Sequence, residues 1–288
     1  MCFIATACDA NIALDYLFMG VLHLGPAGAA LGTTLSQAIS VVVSLTVILK
    51  RRSIVLKKSD FKPCRAVMGK ILGIGIPIAF QDGLIQVAFI IITIIANQRG
   101  LNDAAAVGIV EKVISFLFLV PSSMLSTVSA LGAQNIGAGK PDRAIQTLRY
   151  AVMLAAGFGV LASIAIQFTA EGIVSLFTDP STADGAAVIL FGGQYLRGYI
   201  FDCIFAGIHF SFSGFFCACG KSGLSFLHNI LAIVLMRVPG VYVTSKLFPA
   251  TLLPMGLATA AGSLLSVVIC LIAFGVIRRK STLVLVEE

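Results

Sequence analysis

The chain has 288 residues; 58% are hydrophobic, only 11% are charged, and the mean hydropathy is +1.01. A soluble domain carries about 25% charged residues, so this composition cannot wet an ordinary protein surface and excludes a soluble globular protein. The formal net charge of +7 suggests nucleic acid only until its distribution along the chain is read.

A bilayer-spanning helix needs about 20 mostly apolar residues, because backbone polar groups in lipid must be satisfied within the segment. Eight stretches meet this need, at 3–24, 26–49, 67–97, 104–136, 144–169, 186–217, 222–245 and 251–277. They predict an all-α polytopic membrane protein. The first residues have no basic region, and Asp9, Asn11 and Asp15 interrupt the apolar run, so 3–24 does not read as a secretory signal.

After the first two spans comes a basic loop, 50–66, in which Lys62-Pro63-Cys64 breaks any helix. It divides the chain into 1–49, with two spans, and 67–280, with six; 281–288 is a tail. The ends resemble each other at a constant offset of 228: Pro26 matches Pro254, Gly28 matches Gly256, Ala30 matches Ala258, and the basic triplet 50–52 matches 278–280. Both segments run in the same direction, as in a parallel repeat related by an axis along the membrane normal. If six spans make one half, residues 1–49 are the last two spans of another, and the chain reads as truncated.

The connections on one side hold Lys50, Arg51, Arg52, Lys57, Lys58, Lys62, Arg65, Lys70, Lys140, Arg143, Arg149, Lys221, Arg278, Arg279 and Lys280, whereas the other side holds only Arg99 and Lys246. This is the positive-inside asymmetry, which places the basic side and the C-terminus in the cytoplasm. It accounts for the net charge without nucleic acid; contact of the 50–70 loop with anionic lipid is a secondary reading.

Ionisable groups in mid-bilayer cost about 2.5–3.5 kcal/mol on insertion scales and tend to mark pathways. On the third span Asp82, Gln86, Thr93 and Asn97 share one helical face, with Gln81 beside Asp82. On the fourth, Glu111, Ser115, Ser122, Ser126 and Ser129 form a second stripe, and on the sixth, Tyr195, Tyr199, Asp202, Ala206, His209 and Ser213 form a third. Together they predict a hydrated cavity, although most of the serines read as hydrogen-bonding glue between helices. Asp82 and Asp202 are the leading candidates to bind a cation or a proton. Glu111 lies beside Lys112, and Asp202 lies five residues from Arg197, so either acid could instead belong to an intramembrane ion pair. His209 reads either as a titrating group or as a packed histidine. Pro77 and Pro121 interrupt their spans and free backbone carbonyls.

Enzyme chemistry finds no support: the chain has no phosphate-binding glycine loop, HExxH or GxSxG. Cys217 and Cys219 form a C-x-C without a completing histidine or cysteine pair, so no metal or cofactor is expected.

The most distinctive local sequence is LGAQNIGAGKPDRA at 131–144, which resembles a signature of the multidrug and toxic compound extrusion (MATE) family. NIALDYLF at 11–18, GPAGAALGTTLSQ at 25–37, GIPIAFQD at 75–82 and YLRGYIFD at 195–202 are similar to it in the same order. The resemblance implies a fold of two six-helix lobes, of which this chain looks like helices 5–12: a complete C-lobe and the last two helices of the N-lobe. It also implies export of small organic, often cationic, compounds in exchange for Na⁺ or H⁺ by alternating access, and the lack of a transit signal fits a bacterial-type inner membrane. Asp82 and Asp202 are the nearest candidates for the C-lobe cation site, with Gln81, Gln86, Tyr199, Glu111 and His209 around them. Asp15 is a candidate to line the N-lobe, with a structural turn role as the alternative. Two other readings stay open: a lipid-linked-precursor flippase of the same superfamily, and a fragment that needs a partner chain to supply helices 1–4.

Overall fold

A computed structural model describes residues 2–51 and 62–279, which are helical nearly throughout, with no strand among them. Arg52, Lys57 and Lys58 of the basic loop, and the tail at 281–288, lie outside the described residues. Among the described residues, seven helical segments are long and apolar enough to cross a membrane: Gly25–Val47, Arg65–Asn97, Leu101–Gly137, Pro141–Val174, Ala183–Ala218, Ser222–Leu247 and Leu253–Arg278. The remaining expected stretch, 3–24, is α1 (Cys2–Asp15), continued by a π-helical turn at Tyr16–Val21. The chain is an integral membrane protein. It divides into two compact units, Met1–Arg65 and Ala66–Glu288.

The first unit is a helical hairpin of α1 and α2 (Gly25–Arg51), turning through His23 (φ 51°) and Gly25 (φ 57°). Two glycines of α2 let the backbones close. A Cβ at Gly28 would stand 3.1 Å from the carbonyl of Phe18, and one at Gly32 would overlap the Asp15 carboxylate. The final helix of the chain, Leu253–Arg279, has the same 27-residue length as α2, with both ends shifted by 228, the offset of the sequence repeat.

The second unit contains α3 (Arg65–Asn97), α4 (Leu101–Leu117), α5 (Leu119–Gly137), α6 (Pro141–Val174), α7 (Ala183–Tyr199), α8 (Phe201–Ala218), α9 (Ser222–Ala232), α10 (Val238–Leu247) and α11 (Leu253–Arg279). Three of its spans are broken, two of them next to a proline. Pro121 has no N–H for the carbonyl of Leu117, and the fourth span breaks at Phe118. Pro239 leaves the carbonyl of Leu235 free in the same way, and the turn before it, Ile233–Arg237, widens into a π-helix. The sixth span breaks at Ile200, between α7 and α8.

Lipid is as apolar as leucine, so burying large side chains gives these helices little reason to associate; close approach of small residues does. The buried face of α6 is mostly small, with Ala144, Ala151, Ala155, Gly159, Ser163 and Ala170 beside Leu148, Ile166 and Val174, while Leu161 and Phe168 point outward, 69% and 84% exposed. Helix α8 takes the centre of the unit. A Cβ at Gly207 would lie 2.7 Å from that of Ala155 on α6, and one on Gly132 of α5 would lie 2.8 Å from that of Ala218. The LGAQNIGAGKPDRA segment forms the exit of α5 and the entry to α6. There Gly139 adopts φ 69°, and the N–H of Lys140 caps the carbonyl of Asn135 at 2.9 Å. Gly220 (φ 71°) and Lys221 repeat this turn between α8 and α9, where the Lys221 N–H reaches the Phe216 carbonyl at 2.8 Å.

Candidate functional site

The stripe read from the sixth span is the interior of the second unit. Tyr195, Tyr199, Asp202, Ala206, His209 and Ser213 are all buried, Tyr195, Tyr199, Asp202 and Ser213 completely. The break at Ile200 separates α7 from α8 without turning these residues away from one another.

At the middle of the stripe Asp202 meets a cation that the sequence reading did not assign to it. Arg237, on the π-helical turn, places Nη2 3.3 Å from Asp202 Oδ2 and donates to Tyr199 Oη at 2.7 Å. Its guanidinium also lies over the rings of Phe89 and Tyr199, 5.3 and 5.8 Å from their centroids, a doubly aromatic seat for a cation in an apolar setting. The pairing of Asp202 with Arg197 is therefore corrected. Arg197 points from α7 to α6, where it meets Glu171 at 3.1 Å and the Gln167 carbonyl at 3.2 Å. Five residues are about one and a half helical turns, which sends the two side chains to different neighbours.

Arg237 Nε, Asp202 Oδ1, His209 Nδ1 and Tyr195 Oη are buried without a hydrogen-bond partner of good geometry. Beside them lies a cavity of about 60 Å³, lined among others by Phe89, His209, Asn229, Arg237, Ser263 and Ser266. A water molecule takes about 30 Å³ of liquid volume, so this space suits one or two waters or a small ion, not an organic compound.

The other candidates are distributed around this cluster. Gln81 is buried on α3, and its Oε1 accepts from Ser225 at 2.7 Å. Its neighbour Asp82 is exposed, as is Gln86, so these two do not join Asp202. Glu111 is half-buried on α4 and accepts from Thr93 of α3 at 3.3 Å; no ion pair with Lys112 forms among the described residues. Three serines of the fourth-span stripe bond within their own helix instead of across to a neighbour. Ser115, Ser122 and Ser126 donate to carbonyls of their own turns, at 2.7, 3.2 and 3.0 Å, as hydroxyls do when no partner helix supplies an acceptor.

In the first unit Asp15 is half-buried against Gly32, and its Oδ1 and the Nδ2 of Asn11, one helical turn earlier, lack partners. An open groove of about 460 Å³ beside them is lined by Asn11, Thr33, Ser36 and Gln37. The sequence reading missed Asn11, Arg237 and His228. The signals for the first two were the i, i+4 spacing of Asn11 and Asp15, and an arginine standing two residues before a proline in an apolar span; His228 had none.

The second unit is thus a membrane-spanning bundle in which broken helices surround buried charged side chains. The MatE family model matches residues 77–243, and the chain belongs to that family. It is 27% identical over 260 residues to "Probable multidrug resistance protein YpnP" of Bacillus subtilis, covering 90% of this chain and 56% of that protein. "Multidrug export protein MepA" of Staphylococcus haemolyticus is 26% identical over 245 residues, covering 84% of this chain and 52% of the relative. A crystal structure of MATE in complex with MaL6 superposes with a TM-score of 0.86 at 19% identity, over 97% of this chain and 62% of that one. The chain thus spans about half the length of the curated relatives it matches.

Proposed function

We propose that this chain forms part of an exporter of small organic, often cationic, compounds, driven by H⁺ or Na⁺ through alternating access. The observation that carries this reading is the Asp202–Arg237 pair, a fully buried carboxylate at the break of one span and a largely buried guanidinium on the widened turn of another. A buried ion pair is costly to keep and gives weak net stability, so its presence calls for a use. Protonation of Asp202 removes the charge that holds Arg237, and the π-helical turn at 233–237 is the element free to respond. At this position a proton fits better than Na⁺, because Arg237 already occupies one carboxylate oxygen. Asn11 and Asp15 form a second candidate ion station, while Asp82 and Gln86, exposed on α3, are candidates to meet substrate.

The C-terminus is cytoplasmic in this reading, from the distribution of Lys and Arg, and a bacterial-type inner membrane as host is part of the proposal, in keeping with the bacterial organisms of the relatives. Names of relatives that contain "multidrug" support the substrate class. A partner chain carrying further helices is part of the proposal. The test is efflux of a fluorescent organic cation from vesicles under an imposed H⁺ or Na⁺ gradient, with the chain alone and co-reconstituted with four preceding helices of a relative. Gradient-driven export lost in Asp202→Asn supports the reading; wild-type export by that variant sinks it.

A further inference from the structure

Between the antiparallel helices α4 and α6, on the outer surface of the second unit, runs an open groove of about 460 Å³. Phe116 and Leu117 of α4, Ile166 and Ile173 of α6, and Phe177 just beyond α6 are among the residues that line it. Lys112 of α4 supplies the only charge among the described lining residues. Ligand sites have this make-up: about 300–1,000 Å³, mostly apolar walls and a few placed polar groups.

The groove has the polarity of a lipid. Helix α6 begins beside Lys140, among the basic connections, so Ile166, Ile173 and Phe177 follow one another toward the opposite face of the membrane. Helix α4 runs the other way, so on entering from that face Lys112 comes before Phe116 and Leu117. The cation therefore stands at the end nearer the headgroups, and the apolar wall continues from it toward the membrane centre. Past Phe177 the chain turns polar with Thr178, Asp179 and Ser181, which marks the level of the interface. Ile166 and Ile173 are seven residues apart, about 10 Å at 1.5 Å per residue, a length that part of an acyl chain can follow.

No carboxylate among the described residues forms an ion pair with Lys112. Glu111, its chain neighbour, accepts from Thr93 at 3.3 Å; Glu171 of α6 meets Arg197 at 3.1 Å; Asp179 accepts from the N–H and hydroxyl of Ser181. An ammonium on a four-carbon stem reaches up toward the headgroups, where the phosphate of an anionic lipid is its complement. We propose that this groove seats an anionic phospholipid of the leaflet opposite the basic connections, with its phosphate on Lys112 and one acyl chain along Phe116, Leu117, Ile166 and Ile173. The far end of that chain rests on Leu117, the last residue of α4, beside the break at Phe118. The Phe118 ring meets that of Tyr199 edge-on, with centroids 6.4 Å apart, so the seated lipid supports the break from the membrane side. The seat is a property of the folded chain and stands apart from the export reading.

The chain contains no tryptophan, which makes the test direct. Phe177→Trp puts a fluorophore at the groove, and Phe168→Trp puts one on α6 outside it, at a position 84% exposed. Each full-length variant is reconstituted in neutral phosphatidylcholine vesicles and quenched with brominated phosphatidylglycerol or brominated phosphatidylcholine. In Phe177→Trp the anionic lipid is expected to bind about fivefold more tightly than the neutral one, the effect of one cation near anionic headgroups. The preference should vanish when Lys112→Gln is added, persist with Lys112→Arg, and be absent in Phe168→Trp. Equal quenching by both lipids in Phe177→Trp, a preference that survives Lys112→Gln, or the same preference in Phe168→Trp overturns the proposal. Quenching by neither lipid overturns it too, because a second copy or another helix then covers the groove. If Phe177→Trp does not fold, Phe116→Trp on the facing wall replaces it, with the same outcomes. Export is not read in this experiment, so its loss or presence bears only on the export reading.

Discussion

Arg237 and Asp202 lie 35 residues apart in the chain and meet at 3.3 Å, with the carboxylate fully buried. The π-helical turn before Pro239 makes the meeting possible, because the widened backbone carries the guanidinium between Phe89 and Tyr199. The same widening that accommodates a proline therefore positions the cation that faces Asp202 among the described residues.

Breaking this pair from either side leaves an uncompensated buried charge, a change that costs about 3–5 kcal/mol in buried pairs. Arg237→Gln and Asp202→Asn are each expected to lower the thermal unfolding midpoint in detergent. The double substitution Asp202→Asn with Arg237→Gln should recover much of the loss, because no lone charge remains. Two single effects that simply add in the double variant would show that the pair is not coupled.

Much of this was legible in the sequence. The spans follow from the bilayer's demand for long apolar helices, and the 195–213 stripe follows from helical spacing, because one face of a central helix must point inward. Periodicity could not tell which of two adjacent polar residues on α3 faces the bundle: Gln81 does, and Asp82 does not. Nor could it pair Asp202 with Arg237, since the partner is fixed by how α9 widens before Pro239, a backbone adjustment that apolar patterning does not encode. The serines of the fourth span misled for a similar reason. A hydroxyl can satisfy itself on its own helix, so a polar stripe does not by itself require a neighbour.

The crossing of α7 and α11 depends on two glycines. A Cβ at Gly198 would stand 2.5 Å from the Leu253 carbonyl oxygen, and one at Gly256 would overlap the carbonyl of Tyr195. The obstacle is backbone, which cannot rotate aside as a side chain can. Gly256→Val is expected to destabilise the protein by about 1–3 kcal/mol, the usual range for overpacking, with Gly256→Ala less severe. Thermal unfolding of the two variants checks the order.

In the first unit, Gly32→Ala should move the Asp15 carboxylate, since the added methyl would occupy its place. If Asn11 and Asp15 hold an ion, this substitution weakens ion-dependent stabilisation of the α1–α2 hairpin without removing any ligand. The measurement is the shift in unfolding midpoint on adding Na⁺ or lowering pH, in the wild type and in Gly32→Ala. An undiminished shift would separate Asp15 from ion binding.

Outside the spans, Asp179 accepts from the backbone N–H of Ser181 at 2.9 Å and from its hydroxyl at 2.7 Å, and these bonds hold its carboxyl below the ordinary aspartate range. A lowered folded-state pKa contributes stability that is fully present above the ordinary value, about 3.9, and is lost as pH falls through the lowered one. Ser181→Ala removes one of the two bonds, so the Asp179 midpoint should move back up toward that value. A carboxyl-detected NMR titration reads it directly.

Arg99 ties together the ends of two helical hairpins. From the turn between α3 and α4 it pairs with Asp103 at 2.6 Å and donates to the carbonyls of Ser245, Phe248 and Pro249 at 2.8, 3.1 and 2.8 Å, with Thr251 at 3.4 Å. The segment 245–251 has few other bonds to hold it, chiefly those of Thr251 and Leu252 to Gln194. Hydrogen bonds to a charged donor contribute about 1.5–3 kcal/mol each when isolated, and several on one guanidinium share that value instead of adding. Arg99→Ala is therefore expected to speed amide exchange across 245–251 by about tenfold to a hundredfold while leaving α8 protected. Arg99→Lys, a single point charge without the planar fork, should recover only a small part of the protection. Exchange rates unchanged in Arg99→Ala would mean that the α10–α11 loop holds its shape without this clamp.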